Sequence, residues 1–250
     1  MNTNTYDPIK DGVNRSVQSV RYSDASPPAN LSDLVHSFWE LKTDEKLSDD
    51  FHLHALPDAC VNILLNQLDT SIAGITALRT TYEVLNLGRE FHYVGIQFLP
   101  GMWHGSQNET TDSFVGTPYK GDLPLVETNN NIVGLEFSAQ QTILSDLVHQ
   151  LTVSKHVTKN AVTAAILSNL KSIQSVTDMA STTNMSPRQL QRTLKRSTGF
   201  CPHDLLKVLR LQQSFKHHYL DTYTDQSHFI RSFRKITGYT PAQYFRKFNV

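Results

Sequence analysis

The chain has 250 residues and equal numbers of basic and acidic side chains, 23 of each, but the two kinds are separated along the sequence. Residues 160–250 carry 13 Lys and Arg against 4 Asp and Glu, a net charge of +9. Residues 1–159 carry 10 Lys and Arg against 19 Asp and Glu, a net charge of −9. This separation indicates that the basic part meets a polyanion, either a nucleic acid or a membrane surface. With 39% apolar residues, wholesale disorder is excluded.

Cysteine usage and hydrophobic segments narrow the class of protein further. Cys60 and Cys201 lie far apart, which is typical of a reducing compartment and not of a disulfide framework. The first twelve residues, MNTNTYDPIKDG, lack the apolar core of a signal peptide. The sequence has no apolar stretch of the roughly 20 residues that cross a bilayer. We therefore expect a cytoplasmic protein that does not interact with membranes.

The first half of the chain has a β-like pattern. Residues 1–30 are polar and are expected to form a loosely ordered arm. Residues 31–136 contain short alternating or apolar runs bounded by Pro, Asp, Asn or Gly, which is typical of strands joined by turns. This favours a β-sandwich or small barrel acting as a regulatory or sensory domain. The predicted strands are VHSFWEL (35–41), FHLHALP (51–57), CVNILLN (60–66) and HYVGIQFLPG (92–101).

The hydrophobic period changes from two to 3.6 after the polar run TNNN at residues 128–131, which predicts a linker or turn. Residues 137–159 form a predicted helical connector, with Ser138 as a candidate N-cap. Its apolar stripe suits either a dimer seam or packing on the β-rich domain. A second helix is predicted over residues 160–172. The stripe consists of Ile143, Leu144, Leu147, Val148 and Leu151.

The basic part of the chain contains an internal repeat with an offset of 39 residues. SPRQLQRTLKRSTGFCPHDLLK (186–207) is echoed by DQSHFIRSFRKITGYTPAQYFR (225–246), and Arg192 aligns with Arg231. Such a repeat indicates duplicated architecture.

Each copy of the repeat predicts one helix with defined ends. Ser186 and Asp225 are good N-caps, and Gly199 and Gly238 are placed to end the helices in the left-handed conformation. At 100° per residue, the apolar positions of each copy fall on one side and Arg, Gln and Lys fall on the other. Arg and Gln are suited to reading guanine and adenine in the major groove. The preceding QSVTDMASTTNMS (174–186) reads as a short helix and a turn, which completes a helix-turn-helix layout.

The repeated motifs SPRQLQRTLKRSTGFCP and DQSHFIRSFRKITGYTPAQY resemble the C-terminal DNA-binding domain of AraC/XylS-type transcriptional regulators, over residues 160–248. The resemblance implies two helix-turn-helix units joined by a long helix, here residues 203–217, that read successive major grooves. The candidate DNA-binding residues are Ser186, Arg188, Gln189, Gln191, Arg192 and Lys195 in the first unit, and Gln226, Ser227, His228, Arg231 and Arg234 in the second.

The second unit departs from that family because residues 209–229 pass almost directly from the linker helix to the second recognition helix. Either the end of the linker helix doubles as a scaffold, or the unit is incomplete. In the second case its recognition helix adds affinity more than sequence preference. The acidic half, through VHSFWELK, LPDACVNILL and YVGIQFLPGMWHG, resembles the cupin-like N-terminal domain of such regulators, which implies sensing or dimerisation. The expected fold is α+β: a β-rich cupin-like domain followed by an all-α helix-turn-helix domain.

Metal-binding and enzymatic interpretations are weighed against simple burial. His52 and His54 alternate on a predicted strand as paired ligands do, but no third ligand follows at a suitable spacing. Asp58 and Cys60 hint at nucleophilic chemistry, but no base neighbours them in sequence. We expect no metal, no cofactor and no enzymatic activity. Core packing is also favoured over a ligand pocket for the aromatic residues Trp39, Phe91, Phe98 and Trp103.

The leading hypothesis is a sequence-specific DNA-binding transcription regulator whose N-terminal domain senses a ligand or dimerises. Its expected partner is double-stranded DNA; an unidentified small-molecule effector, a second copy of the chain and RNA polymerase are further candidates. The main alternative is a protein-interaction modulator that pairs with a related regulator and has impaired DNA binding. A cupin-type metalloenzyme fused to a targeting domain is a third hypothesis.

Overall fold

A computed structural model describes residues 6–105, 110–111, 116–216, 223 and 225–249. The regular structure of the first half of the chain is strands and that of the second half is almost entirely helices, so the fold is α+β. The strands are β1 (Val13–Asn14), β2 (Val20–Ala25), β3 (Val35–Thr43), β4 (Phe51–Ala55), β5 (Val61–Asn66), β6 (Ala73–Thr76), β7 (Glu83–Gly88), β8 (His92–Phe98), β9 (Thr110–Thr111) and β10 (Phe248–Asn249). The helices are α1 (Leu125–Ile132), α2 (Phe137–Val153), α3 (Ala161–Ser168), α4 (Val176–Thr182), α5 (Pro187–Thr198), α6 (Pro202–Lys216), α7 (Gln226–Thr237) and α8 (Pro241–Lys247).

The β-rich half has two layers. Six strands form the main sheet in the order β2-β3-β8-β5-β6-β9, with the central strands antiparallel and β6–β9 parallel. The antiparallel pair β4–β7 shares an apolar cluster with β3 and β8, because Leu53 and Leu87 pack with Leu41 and Tyr93. All four strands predicted from the sequence are present, although β4 ends two residues and β8 three residues before the predicted end.

The centre of the main sheet is closely packed around β8. A side chain at Gly95 would lie 2.3 Å from the Trp39 ring and 2.8 Å from the Ile63 carbonyl, so this position requires glycine. Phe38 and Ile96 are fully buried on the same sheet. This apolar core continues without interruption into helices α1 to α6.

The expectation of a loosely ordered arm over residues 1–30 is wrong for residues 20–25. These residues form β2, which pairs with β3 from Val20↔Thr43 to Ala25↔Phe38. The polar composition misled the prediction because β2 is an edge strand that is nowhere fully buried. Polar side chains are compatible with such a strand.

The expected linker at residues 128–131 lies in α1. Asn129 is fully buried, and its amide donates to three carbonyls around the β5–β6 turn at 3.0–3.3 Å. Its carbonyl accepts from the amide of Gln67 at 2.6 Å. The polar run therefore supplies buried hydrogen bonds that a composition-based prediction does not detect.

Helix α2 begins at Phe137 with Glu136 in the N-cap position, so Ser138 is not the N-cap. Leu144, Leu147 and Val148 are at most 1% exposed within the main core. The apolar stripe of the connector therefore packs within the chain. The next predicted helix ends earlier than expected: α3 stops at Ser168 and a 3-10 turn follows.

Candidate nucleic-acid interface

Helices α4 and α5 form the first helix-turn-helix unit. The Ser175 hydroxyl caps α4 by accepting from the Asp178 amide at 3.1 Å. Asn184 takes a positive φ of 52° in the turn, a conformation that asparagine tolerates better than most residues. Met179 and Ala180 of α4 are buried in the main core together with α5. Helix α5 is thus held by the short helix α4.

Helix α5 has well-defined ends. Ser186 accepts from the Gln189 backbone at 3.3 Å, while Gln189 Oε1 accepts from the Ser186 amide at 2.9 Å. This capping box fixes the first turn. Gly199 ends the helix with φ 71°, and the Lys195 ammonium donates to its carbonyl at 2.8 Å. Three predicted DNA-binding residues, Ser186, Gln189 and Lys195, therefore also stabilise the helix ends.

The two faces of α5 are as the repeat predicts. Leu190 and Leu194 are completely buried. Arg188, Gln191 and Arg192 are exposed on the other side, and their side chains are directed to solvent. The helix therefore presents two guanidinium groups and one amide on a rigid backbone.

Helix α7 repeats this design. The Asp225 carboxylate caps it by accepting from the His228 amide at 2.8 Å, and Gly238 ends it with φ 78°. Phe229 and Phe233 are buried. The Arg231 side chain is exposed and lies along its own helix, where Nε donates to the Ser227 carbonyl at 3.3 Å. The remaining predicted residues of the second unit, which are all exposed, are Gln226, Ser227, His228 and Arg234.

Helix α6 joins the two units. It buries Leu205, Val208 and Leu209 in the main core and Leu211 in a second core with α7 and α8. The predicted end of this helix at residue 217 lies outside the described residues, as do residues 218–222 and 224. The shortened scaffold expected in this segment is therefore not described. Tyr223 is buried with its ring 5.2 Å from that of Phe229.

Sequence reasoning overlooked further exposed basic side chains beside the predicted stripes. Arg196 and Lys235 occupy matching positions in the last turns of α5 and α7. Arg246 is exposed on α8. The repeat aligns Arg196 with Lys235, and this alignment could have predicted both as basic residues of the interface.

A cavity of about 80 Å³ lies in the β-rich half. Apolar side chains such as Leu53 and Leu85 line it, together with a few polar groups. Trp39 faces this cavity and donates from Nε1 to the Asn62 side chain at 3.1 Å. The other three aromatic residues of the predicted set, Phe91, Phe98 and Trp103, are buried.

Two carboxyl groups line the cavity. Burial raises the pKa of Asp58 to about 7 and the pKa of Asp11 to about 6, and the Arg79 guanidinium opposes both shifts. Asp58 accepts from the Cys60 amide at 2.9 Å and from the Gln97 side chain at 2.7 Å. Burial also raises the pKa of the Cys60 thiol well above its usual range, which disfavours the thiolate that a nucleophile needs.

His52 and His54 do not point to a common site. His52 is exposed, whereas His54 is 2% exposed and enclosed by aromatic rings. Within the described ranges, no group of three His, Cys, Asp or Glu side chains is arranged to hold a metal ion.

Residues 23–117 match a family described as a domain of unknown function, DUF6597. No functionally curated protein matches the chain. An apo ToxT variant from Vibrio cholerae is similar in structure, with 12% identity, 92% of this chain and 97% of that chain covered, and a TM-score of 0.42. A second Vibrio cholerae ToxT structure has 9% identity, coverages of 93% and 100%, and a TM-score of 0.36.

Among the helices that the structure describes, none is both long and apolar enough to cross a membrane.

Proposed function

We propose that this chain is a sequence-specific DNA-binding transcription regulator of the AraC/XylS type that acts in the cytoplasm. The observation that carries the proposal is the duplicated design of α5 and α7. Each helix has 12 residues, an N-cap side chain, a left-handed glycine and an exposed face with arginines. An ordinary helical bundle with a solvated charged face has no need of two helices with the same N-cap, the same left-handed glycine and the same exposed arginine face.

The exposed side chains match the chemistry of the major groove. A guanidinium donates two parallel hydrogen bonds to guanine O6 and N7, and an amide pairs with adenine N6 and N7. Arg188, Arg192 and Gln191 offer these groups in the first unit, and Arg231 and Arg234 offer guanidinium groups in the second. The net charge of +9 over residues 160–250 adds attraction to phosphates that does not depend on sequence.

The proposed regulatory domain is residues 31–136, the greater part of the β-rich half, and residues 137–159 connect it to the DNA-binding domain. The cavity of the β-rich half is the place where a small-molecule effector would bind, because apolar walls and a few convergent polar groups are typical of ligand sites. A second copy of the chain and RNA polymerase are proposed as further partners, and no enzymatic activity is proposed.

A protein-interaction modulator is the second candidate. It is favoured by the sequence of residues 209–229, which passes almost directly from the linker helix to the second recognition helix. Such a protein would pair with a related regulator and bind DNA weakly.

Selection from random-sequence duplexes by the purified full chain separates the two candidates. A regulator enriches a motif with two parts, one for each recognition helix. Arg192→Ala should lose the part read by α5, and Lys46→Gln, a charge change on the β-rich half, should retain both parts. Absence of any enriched motif with folded protein would refute the regulator and favour the modulator.

A further inference from the structure

Helices α7 and α8 bury a second core with the end of α6, and this core extends onto the β-rich half. Their second core, which includes Phe233, Tyr244 and Phe248, is completed by Leu56 and Ile9 from the β-rich half. By contrast, α5 packs against its partner helix α4 and against α6. The two recognition helices therefore have different supports.

His54 is the centre of this contact. Its ring stacks on Tyr82 and Phe248, each with ring centroids 4.8 Å apart, and meets Tyr239 and Tyr244 edge-on at 5.4 Å. Neither ring nitrogen makes a hydrogen bond of normal geometry to a described residue. The backbone of Thr237 lies near the ring and offsets part of the lowering of its pKa by burial. Burial lowers the pKa of His54 to about 4, so the ring is neutral and packs as an aromatic.

Tyr82 holds the end of α7 directly. Its backbone amide donates to the Ile236 carbonyl at 2.8 Å, one of the carbonyls left without a partner at a helix C-terminus. Its ring lies over Gly238, where an added Cβ would come within 2.8 Å of it. The last turn of α7 is thus fixed by a residue of the β-rich half.

A short strand pair and the hydrogen bonds of one α6 side chain fix the same contact on either side. β1 pairs with β10 after α8, and Arg15 Nε donates to the Phe248 carbonyl at 2.8 Å. On α6, the buried Gln212 donates to the Pro57 carbonyl at 2.8 Å and accepts from the Ile9 amide at 2.9 Å. The second unit is therefore tied to the β-rich half at α6, α7 and β10.

We propose that His54 and Tyr82 are positioning residues for DNA reading by α7, and that the β-rich half supports this helix as α4 supports α5. The inference rests on the proposed function. Base discrimination needs a fixed backbone because hydrogen bonds to base edges are directional. The sequence-based expectation that α7 adds affinity more than preference does not take this support into account.

The test uses the full chain and the two-part motif selected by the wild type. Arg192→Ala and Arg231→Ala assign the bases read by α5 and by α7. His54→Ala should then lose discrimination about tenfold at the bases read by α7, the size of one bidentate contact, and stay within about twofold at those read by α5. His54→Phe keeps the ring stack and should restore wild-type discrimination. Tyr82→Ala, at a residue 38% exposed, provides a milder second variant.

Amide hydrogen exchange of the same variants without DNA gives an independent readout. His54→Ala should increase exchange in residues 226–247 and leave residues 187–198 protected as in the wild type. The inference would be overturned if His54→Ala lost equal discrimination, or none, at the bases read by α7 and at those read by α5. Tighter DNA binding by His54→Ala would also overturn it, because the contact would then restrain α7. If the wild type enriches no motif, the proposed function itself fails and the inference fails with it.

Discussion

The proposed DNA binding should depend on salt concentration because α5 and α7 carry exposed positive charges. Each phosphate neutralised on B-DNA contributes about −0.9 to the slope of log K against log salt concentration. The three exposed basic residues of these helices that are not assigned to bases give a slope of about −3, and all seven give about −6. Affinity should therefore fall by roughly 40-fold to 6,000-fold between 50 and 200 mM salt. Replacing one contact, as in Arg196→Gln, should make the slope shallower by about 0.9. The seven exposed basic residues are Arg188, Arg192, Lys195, Arg196, Arg231, Arg234 and Lys235.

Fluorescence anisotropy of a labelled duplex over a series of salt concentrations measures this slope for the full chain. Lys46→Gln is the matched control, because it removes an exposed charge from the β-rich half and should leave the slope unchanged. A flat salt response of the wild type would refute the reasoning. An equal change of slope in Arg196→Gln and Lys46→Gln would show that the charge of the whole chain, and not the two helices, determines binding.

Three further predictions concern specificity and stability. Arg192→Ala and Arg231→Ala should each lower the ratio of specific to non-specific binding at one fixed salt concentration; a loss confined to the first variant would show that α7 reads no bases. Asp58→Asn should flatten the pH dependence of stability measured by urea unfolding. The folded-state pKa of Asp58 is raised to about 7, so the wild type loses stability as pH rises from about 4 to about 7; an unchanged profile in the variant would assign this loss to other groups. Gly199→Ala and Gly238→Ala both place a Cβ at positive φ, which costs about 1–2 kcal/mol, but only the second also meets a tyrosine ring. Gly238→Ala should therefore be the more destabilising in thermal unfolding, and equal losses would argue against that contact.

The parts of the fold that sequence predicted are those determined by local pattern. The repeat located α5 and α7 because N-caps, left-handed glycines and apolar spacing act within one helix. The edge strand β2 and the buried Asn129 of α1 were missed because their stability comes from distant partners. His54 was considered as a metal ligand, whereas its aromatic surroundings come from residues that the sequence gives no reason to bring together. The same limit applies to the cavity, since Asp11 and Asp58 approach only after folding.

The pairing of β1 with β10 also sets an order of events during synthesis. Arg15 and Phe248, which it brings together, are 233 positions apart. At 5–20 residues per second, a ribosome needs roughly 10–50 s to make the second of these residues after the first. During that interval the aromatic face around His54 has no partner and is open to chaperones or to self-association. Helix α7 is made late, and the contacts through α8 and β10 that fix it are made last. A nascent chain would therefore hold the proposed second DNA-reading helix in place only after nearly all of the chain has been made.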